Sequence, residues 1–518
     1  MHIDVIESPE SFGRLETNWN AVYDADPDAQ IFLSWTWLSG WLRQISGPWL
    51  ILAAREDGEG CPYVGFLPLR IQVKATEAQL RNELNMAGNF AADYTGMLCA
   101  PGFDHRAIPA FAGYLKKMNW GRLNLDNVRI SAARHRLLLA HFPKAKFKVE
   151  EISRIGKVDG IDNSLCPFAP LPADWETYLA GLSANTRQKI RRLLKLIDAP
   201  DEYRITQATA ETIDRDIDTL LRFWEIKWRP RKGDTVDSLV RSNRRMLTTS
   251  FESGLLLLPT LWQRDRPAAA LATFVDRRKR ALLFYMTGRD ESFEGPSPGL
   301  TLHGYSIRHA IANGFTEYDF LRGNEAYKYS FGVRERRIKC VAVSTRSGAN
   351  LGGQLDRRTL ADALKEATEL HQAGKLAEAE RGYRQILEVD RSNADAIHRL
   401  GQLLTTRGRH GPARQQFAML TAIMPDTHKS WLCLAQSCEA LGEHLEAARS
   451  YRNVVQLRPD LPDGFAGLGR ALHRLDRITA FDTALQAVIG SPQVQDGKSG
   501  SRRPKAGAYS PNASSTYA

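Results

Sequence analysis

The chain has 518 residues, 43% of them hydrophobic and 25% charged, and a formal net charge of +11. That length accommodates two to four domains with sizeable cores, and the composition is that of an ordinary soluble protein, neither disordered nor fibrous. The positive charge favours anionic partners such as phosphates, nucleic acid or a membrane surface, but it is spread along the chain without a polybasic arm, which argues against nucleic acid as a general partner.

Six cysteines, at 61, 99, 166, 340, 433 and 438, follow no metal-ligand spacing. They read as reduced thiols in a cytoplasmic protein, and no metal is expected. The start, MHIDVIESPE, lacks the basic and apolar regions of a signal peptide. The most apolar run, Gly254 to Trp262, is too short to span a bilayer and contains Pro259, so no integral membrane segment is expected.

In chain order, His2 to Glu7 alternates like a strand, and Ser8-Pro9 offers an N-cap and a first helical residue. Leu33 to Ile45 predicts a helix whose Trp35, Trp37, Leu38, Trp41 and Leu42 read as core. Trp49 to Arg55 and Tyr63 to Ile71 predict paired strands split by Gly58-Glu59-Gly60. Asp93-Tyr94-Thr95-Gly96 precedes a further strand, and Asp93 fits a turn. Signals continue at Ala107–Met118, Arg122–Val128, Ala132–His141 and Lys146–Ser153. Residues 1–158 are thus a first lobe.

Asp162 to Pro172 reads as a Pro-rich linker into a second lobe, residues 159–350. From Ser183 a helix carries Arg187, Lys189, Arg191, Arg192 and Lys195 opposite Ile190, Leu193, Leu194 and Ile197. This basic face is either solvated or a phosphate clamp, for which the planar Arg fork is suited. Tyr203–Ala208 predicts a strand, Ile213–Trp228 a helix with Phe223, Trp224 and Trp228 near its apolar side, and Val236–Ser253 another helix. Leu255–Gln263, Ala268–Asp276 and Ala281–Thr287 predict an antiparallel meander, with Arg277 to Arg280 as a solvated hairpin tip. Glu294 to Leu300 then opens a helix, Leu300 to Asn313. A Gly-containing loop leading into a helix presents free amides and a positive dipole end to a phosphate, and here Gly299 and Leu300 would supply them.

The second lobe is organised around Phe315 to Gly332, FTEYDFLRGNEAYKYSFG. Tyr318, Phe320 and Leu321 read as a buried strand, and Gly323 as a sharp turn. Asn324, Glu325, Tyr327, Lys328 and Tyr329 crowd beyond it, where a rigid strand end can carry a binding site. Lys328, read as solvent-facing, either holds an anionic group or pairs with Glu325. Arg337 to Thr345 predicts the strand that closes this lobe.

Asp319-Phe320-Leu321-Arg322-Gly323, Glu325-Ala326-Tyr327-Lys328-Tyr329 and Phe331-Gly332 resemble the end of the CelD-like acetyltransferase domain. That family belongs to the GNAT superfamily, is linked to cellulose and exopolysaccharide production, and is similar in architecture to Fem-type aminoacyl transferases. The resemblance runs from about Ile3 to Thr345. It implies tandem α+β GNAT-like lobes, built of mixed, mainly antiparallel sheets flanked by helices, the first having lost its cofactor site. It implies acyl transfer, with acetyl-CoA as donor and a sugar or polysaccharide precursor as acceptor. It implies catalytic roles for Lys328, Tyr327, Glu325 and Tyr329: Tyr327 or Tyr329 as acid toward the leaving thiolate, and Glu325 as base. Gly299, Leu300, Arg187 and Arg191 are the candidate donor-binding residues. Asp319, Arg322, Asp93 and Trp224 are the candidate substrate-binding ones. Two alternatives stand beside this reading. One is a Fem-type transfer from aminoacyl-tRNA, the single case in which a nucleic acid would be a partner. The other is a catalytically inert scaffold.

After a linker at 351–359, a 34-residue period is explicit: Gly374, Gly408 and Gly442; Ala379, Ala413 and Ala447; Tyr383, Phe417 and Tyr451; Arg391, Pro425 and Pro459. This looks like an all-α tetratricopeptide solenoid of units 360–393, 394–427, 428–461 and a partial 462–490. Its concave face either binds a protein partner or serves as a solubilising or dimerising appendage. Residues 491–518 read as a disordered tail.

Overall fold

The computed structural model describes residues 1–58, 60–89, 91–198 and 202–475. Among these residues the strands form two eight-stranded sheets. In chain order they are β1 (His2–Ile6), β2 (Trp49–Arg55), β3 (Tyr63–Ala75), β4 (Leu80–Met86), β5 (Leu98–Cys99), β6 (Arg122–Val128), β7 (Phe147–Glu151), β8 (Leu165–Pro170), β9 (Tyr203–Gln207), β10 (Leu256–Leu257), β11 (Pro259–Gln263), β12 (Arg266–Asp276), β13 (Ala281–Arg289), β14 (Glu317–Asp319), β15 (Arg334–Arg337) and β16 (Lys339–Thr345). The first sheet runs β1-β2-β3-β4-β6-β16-β7 with β5 paired to β3, and the second runs β15-β8-β14-β13-β12-β11-β9 with β10 paired to β12.

Each sheet contains one parallel pair, β4–β6 and β13–β14, and every other pairing is antiparallel. Parallel neighbours need a crossover. The helix Asp104–Leu115 lies in the connection between β4 and β6, and the helix Pro298–Ala312 in that between β13 and β14. Both parallel registers last only three residue pairs, so the two lobes repeat one plan.

Local signals set the helix starts. Ser8 accepts from Ser11 N and is followed by Pro9. Ser34 accepts from Trp37 N at 3.3 Å and opens the helix Trp35–Leu42. The helix Ala184–Asp198 buries Ile190, Leu193 and Leu194 and leaves Lys189, Arg191, Arg192 and Lys195 exposed, as its periodicity predicts.

Four expectations are corrected. The expected linker at 162–172 contains β8, which lies between β14 and β15. Its Pro167 and Pro170 mask the strand signal, since proline gives no ladder donor. The strand expected to close the second lobe instead closes the first. β16 inserts between β6 and β7, a pairing that the strand's own apolar alternation does not specify.

The Arg277–Arg280 tip is docked, not solvated. Lys279 Nζ donates to the carbonyls of Asp24 and Asp26 at 3.0 and 2.8 Å, and Arg278 pairs with Asp24 at 2.6 Å. Nor does the first helical hairpin after 359 stand apart from the lobes. Gln385 exchanges two hydrogen bonds with the Leu80 backbone at 2.8 and 3.2 Å, and Thr359 Oγ1 donates to Asn82 Oδ1 at 3.0 Å. Leu355 and Thr359, in the expected linker, are buried. Met1–Ala396 is accordingly one unit, which includes the first helical hairpin, Leu360–Gln372 with Leu376–Val389.

Residues from Ile397 form the second unit. In it the helices His410–Ile423, His428–Ala440, His444–Leu457 and Pro462–Arg474 pack in sequence, each against the next. The 34-residue period has a backbone cause. Gly374, Gly408 and Gly442 occupy inter-helix turns at φ of 74°, 69° and 76°, where a side chain would be strained. The periodic Ala379, Ala413 and Ala447, and Tyr383, Phe417 and Tyr451, are all buried. The expected end of the partial fourth unit and the expected disordered tail lie outside the described residues.

Candidate active site at the junction of the lobes

The organising stretch is a short strand followed by a tightly braced turn. After β14, Leu321 takes the left-handed backbone conformation (φ 56°), which costs a non-glycine residue roughly 1–2 kcal/mol. The Asp319 carboxylate holds it by accepting from Leu321 N at 2.7 Å. Gly323 follows at φ 97°.

Lys328 is buried, at 2% exposure, not solvent-facing. Its ammonium donates to the carbonyls of Arg322 and Gly323 at 2.8 and 2.9 Å and pairs with Glu325 Oε2 at 2.8 Å. Two N–H bonds are thus taken by carbonyls, and the Glu325 carboxylate supplies the counter-charge as an ion pair. Lys328 is therefore the brace of this turn, and Glu325 is committed to it.

Asp319 is also fully buried. It accepts from Tyr94 Oη at 2.9 and 3.0 Å and from Arg336 at 3.2 Å. Burial raises its carboxyl above the usual range, opposed first by the Arg336 guanidinium. A carboxylate so enclosed holds structure and does not reach a substrate. Arg322 and Asp93, separately expected to bind substrate, bind each other at 2.9 and 2.5 Å. Trp224 packs along its helix with Trp228, ring centroids 6.2 Å apart, where that helix crosses Gly288 of β13. A Cβ at Gly288 would lie 2.6 Å from the Leu220 carbonyl oxygen, so only glycine permits this approach.

Of the four residues expected to be catalytic, Tyr327 alone combines an exposed ring with a hydroxyl that bonds to no described residue. Desolvation, then the Glu325 charge, raises its phenol above the ordinary tyrosine value and keeps it protonated. The Tyr329 hydroxyl is bonded to Glu335, and desolvation together with that bond pushes its pKa up to about 12.

The Tyr327 ring lies 5.9 Å from His303, a residue that sequence reasoning missed. His303 is fully buried on the crossover helix among Phe284, Phe320 and Phe331, at centroid distances of 4.6, 5.1 and 5.3 Å, and its Nδ1 meets Tyr318 Oη at 2.9 Å. Burial, then the Lys328 charge, lowers its pKa to about 3, so the ring is neutral.

β13 separates this face from the other lobe. The register between β12 and β13 slips so that Tyr285 is left unpaired in a bulge. Phe284 turns to His303, while Tyr285 Oη donates to Asn243 Oδ1 at 3.1 Å on the helix Thr235–Glu252. Met246 of that helix packs against the same core as Tyr285 and also lines a cleft of about 290 Å³ against the helix Trp35–Leu42.

At the start of the crossover helix, Pro298 lacks an amide hydrogen, which leaves Gly299 and Leu300 as first-turn donors. The approach carries Asp290, Glu291 and Glu294, with Arg266 and Arg289 already paired to Asp290 and Glu291. The fit to a CoA pyrophosphate is thus partial, two amides against an acidic loop. On the basic helix, Arg191 pairs with Glu176 and Arg187 Nη1 donates to the Ala180 carbonyl at 3.4 Å, while Lys189, Arg192 and Lys195 have no ion-pair partner among the described residues. Among the described residues no group of His, Cys, Asp or Glu could hold a metal ion, and no helix is long and apolar enough to cross a membrane.

Residues 184–329 match the family model of the acetyltransferase (GNAT) domain. The matched segment contains the basic helix, the Tyr285 bulge, the crossover helix and the braced turn through Tyr329. Among solved structures, the chain is similar to the crystal structure of FemX, with 11% identity and a TM-score of 0.47, covering 66% of this chain and 97% of that one. It is also similar to a conserved protein of unknown function from Bacteroides thetaiotaomicron VPI-5482, with 15% identity and a TM-score of 0.40, covering 66% and 99%. Its helical region is similar to the first TPR of Spaghetti (RPAP3) bound to HSP90 peptide SRMEEVD, with 17% identity and a TM-score of 0.23, covering 24% and 98%. No curated protein matches the chain.

Proposed function

We propose that the protein is an acyltransferase whose second lobe carries the reaction, moving an acetyl group to an amine or hydroxyl of a sugar or polysaccharide precursor. The observation that carries this reading is the acetyltransferase (GNAT) match over residues 184–329, which spans both strands of the parallel β13–β14 pair and ends on Tyr329. The attacking amine or hydroxyl forms a bond to the acyl carbon as the bond to the leaving group breaks. Tyr327 gives its phenolic proton to that leaving atom, and the proton released by the attacking amine or hydroxyl returns through solvent to the phenolate, a role that suits a protonated hydroxyl on an exposed residue. Lys328, Glu325 and Asp319 hold the turn that presents it. The Gly299 and Leu300 amides are the donor-phosphate contacts in this reading.

The sequence resemblance to the CelD-like family supports an acceptor of cell-envelope type, acting in the cytoplasm. The helical repeats are in this reading a surface for a protein partner. An aminoacyl-tRNA donor is the second reading, favoured by the unpaired cations Lys189, Arg192 and Lys195 on the basic helix. Thermal melting of the full chain with acetyl-CoA tests the first, since a ligand that binds only the folded state raises Tm. No shift at millimolar acetyl-CoA, together with a shift on adding tRNA, would replace it with the second.

A further inference from the structure

The cleft between the helices Trp35–Leu42 and Thr235–Glu252 has two chemically different walls. On one, the buried Trp37 and the partly exposed Trp41, four residues apart, line it with near-parallel rings, centroids 6.5 Å apart and planes 11° apart, so that Trp41 is the indole open to a ligand. On the other, Ser238, Arg241, Ser242 and Arg245 recur at helical spacing and line it together. The buried Val236 and Leu247 of that helix lie on its opposite side, whereas the buried Ser250 belongs to the cleft lining.

No described residue bonds to either guanidinium group. Arg241 and Arg245 are exposed and form no ion pair with a described residue, whereas their neighbour Arg244 is paired with Asp218. The hydrogen bond from Gln44 Nε2 to Thr249 Oγ1, at 3.1 Å, spans the two walls, and Gly40 lets them approach, since a Cβ there would lie 3.2 Å from Thr249 Cγ2.

We infer that this cleft binds a saccharide carrying a phosphate group. A pyranose ring has an apolar C–H face that an indole covers well, and peripheral hydroxyls that need polar partners. Two Arg one helical turn apart suit a phosphate, which each can bind with a pair of parallel N–H bonds. A neutral sugar would leave the guanidinium groups unused, and an inorganic anion would leave the tryptophan wall unused. Met246 of the cleft lining packs against the same core as Tyr285 of β13. The saccharide's role as acyl acceptor rests on the acyltransferase reading, but its binding does not.

The test is titration of the full chain with N-acetylglucosamine 1-phosphate, followed by calorimetry and by tryptophan fluorescence. N-acetylglucosamine and inorganic phosphate are the comparison probes. The sugar phosphate should bind at least tenfold more tightly than either. Arg241→Ala with Arg245→Ala should weaken it at least tenfold and abolish its advantage over the neutral sugar, with Tm unchanged because both side chains are exposed. Trp41→Ala should weaken both sugars and leave phosphate alone. No saturable binding at millimolar sugar phosphate, or equal affinity in the double arginine variant, would overturn the inference. Acetyl-CoA melting on the same samples separates the two readings: a donor shift without sugar-phosphate binding removes this inference only, and binding without a donor shift removes only the acetyl donor.

Discussion

Arg322 closes on Asp93 across 229 residues of chain, with Nε to Oδ1 at 2.9 Å and both side chains largely shielded from water. The next residue, Tyr94, reaches Asp319 of the same turn. An acidic-aromatic pair from the first lobe thus clasps an acid and a base of the second, and the junction is held by directional, charge-assisted bonds. Removing one partner leaves a half-buried guanidinium unpaired. Asp93→Ala should cost about 1–3 kcal/mol in chemical denaturation, and Asp93→Arg with Arg322→Asp should recover part of it. A neutral Asp93→Ala would mean that the clasp does not stabilise the junction.

Lys328 carries the opposite expectation from that of an exposed lysine. Lys328→Ala strips the Arg322 and Gly323 carbonyls of their shared donor and the Glu325 carboxylate of its counter-charge, beside a left-handed Leu321. A loss on the order of 3 kcal/mol should appear in the denaturation midpoint. Lys328→Arg should not restore it, because the wider fork does not fit a buried site shaped for two carbonyls and one carboxylate around a compact ammonium. Wild-type stability in Lys328→Ala would show that the turn braces itself.

His303 gives a pH signature. Its pKa, near 6.5 in an unfolded chain, falls to about 3 in the fold. Between those values the unfolded state binds a proton that the folded state refuses. The stability tied to His303 is therefore fully present above pH 6.5 and declines as pH falls toward 3, by as much as about 1.4 kcal/mol per unit. His303→Gln should flatten the dependence of Tm on pH in that window. An unchanged slope between pH 6 and 4, in pH units set by the same shift, would assign the acid sensitivity to other groups.

Periodic and local features were legible in sequence. The 34-residue period, the amphipathic basic helix, the meander and the Gly323 turn each depend on neighbours within one or two turns of chain, and each lies where its pattern predicts. What was not legible is which distant surface a local pattern meets. Arg337 to Thr345 reads as a strand but not as a strand of the other sheet, and Lys328 reads as polar because nothing nearby announces the two carbonyls that bury it. The Trp37, Trp41, Arg241 and Arg245 cleft left a partial signal, a polar stripe at helical spacing, but its facing wall lies some 200 positions earlier, at Gln44 against Thr249.

Truncation tests the reach of the first unit. The chain cut after Ala396 keeps the hairpin Leu360–Val389 against β3 and β4 and should melt cooperatively. The chain cut after Thr359 loses Gln385 from the Leu80 backbone and Glu366 from Ala75 N, and exposes a strand edge. It should be markedly less soluble and lower in Tm. Equal melting of the two would show that the hairpin is an appendage, as its repeat sequence alone implies.

Tyr327 is the last and most direct test of the chemistry. Its hydroxyl bonds to no described residue, so Tyr327→Phe removes a proton donor and almost nothing else: the ring stays against His303, and Lys328 still braces the turn behind it. Tm should move little. Acyl transfer, followed as free thiol released from acetyl-CoA with a sugar-phosphate acceptor, should fall by about 10²–10⁴ in kcat, the usual contribution of a positioned general acid, with KM for the donor unchanged. Tyr329→Phe serves as the control, because its hydroxyl is already committed to Glu335, and it should lose far less. Equal losses in the two variants would point to a shared packing role, and full activity in Tyr327→Phe would return the proton to water or to the donor itself.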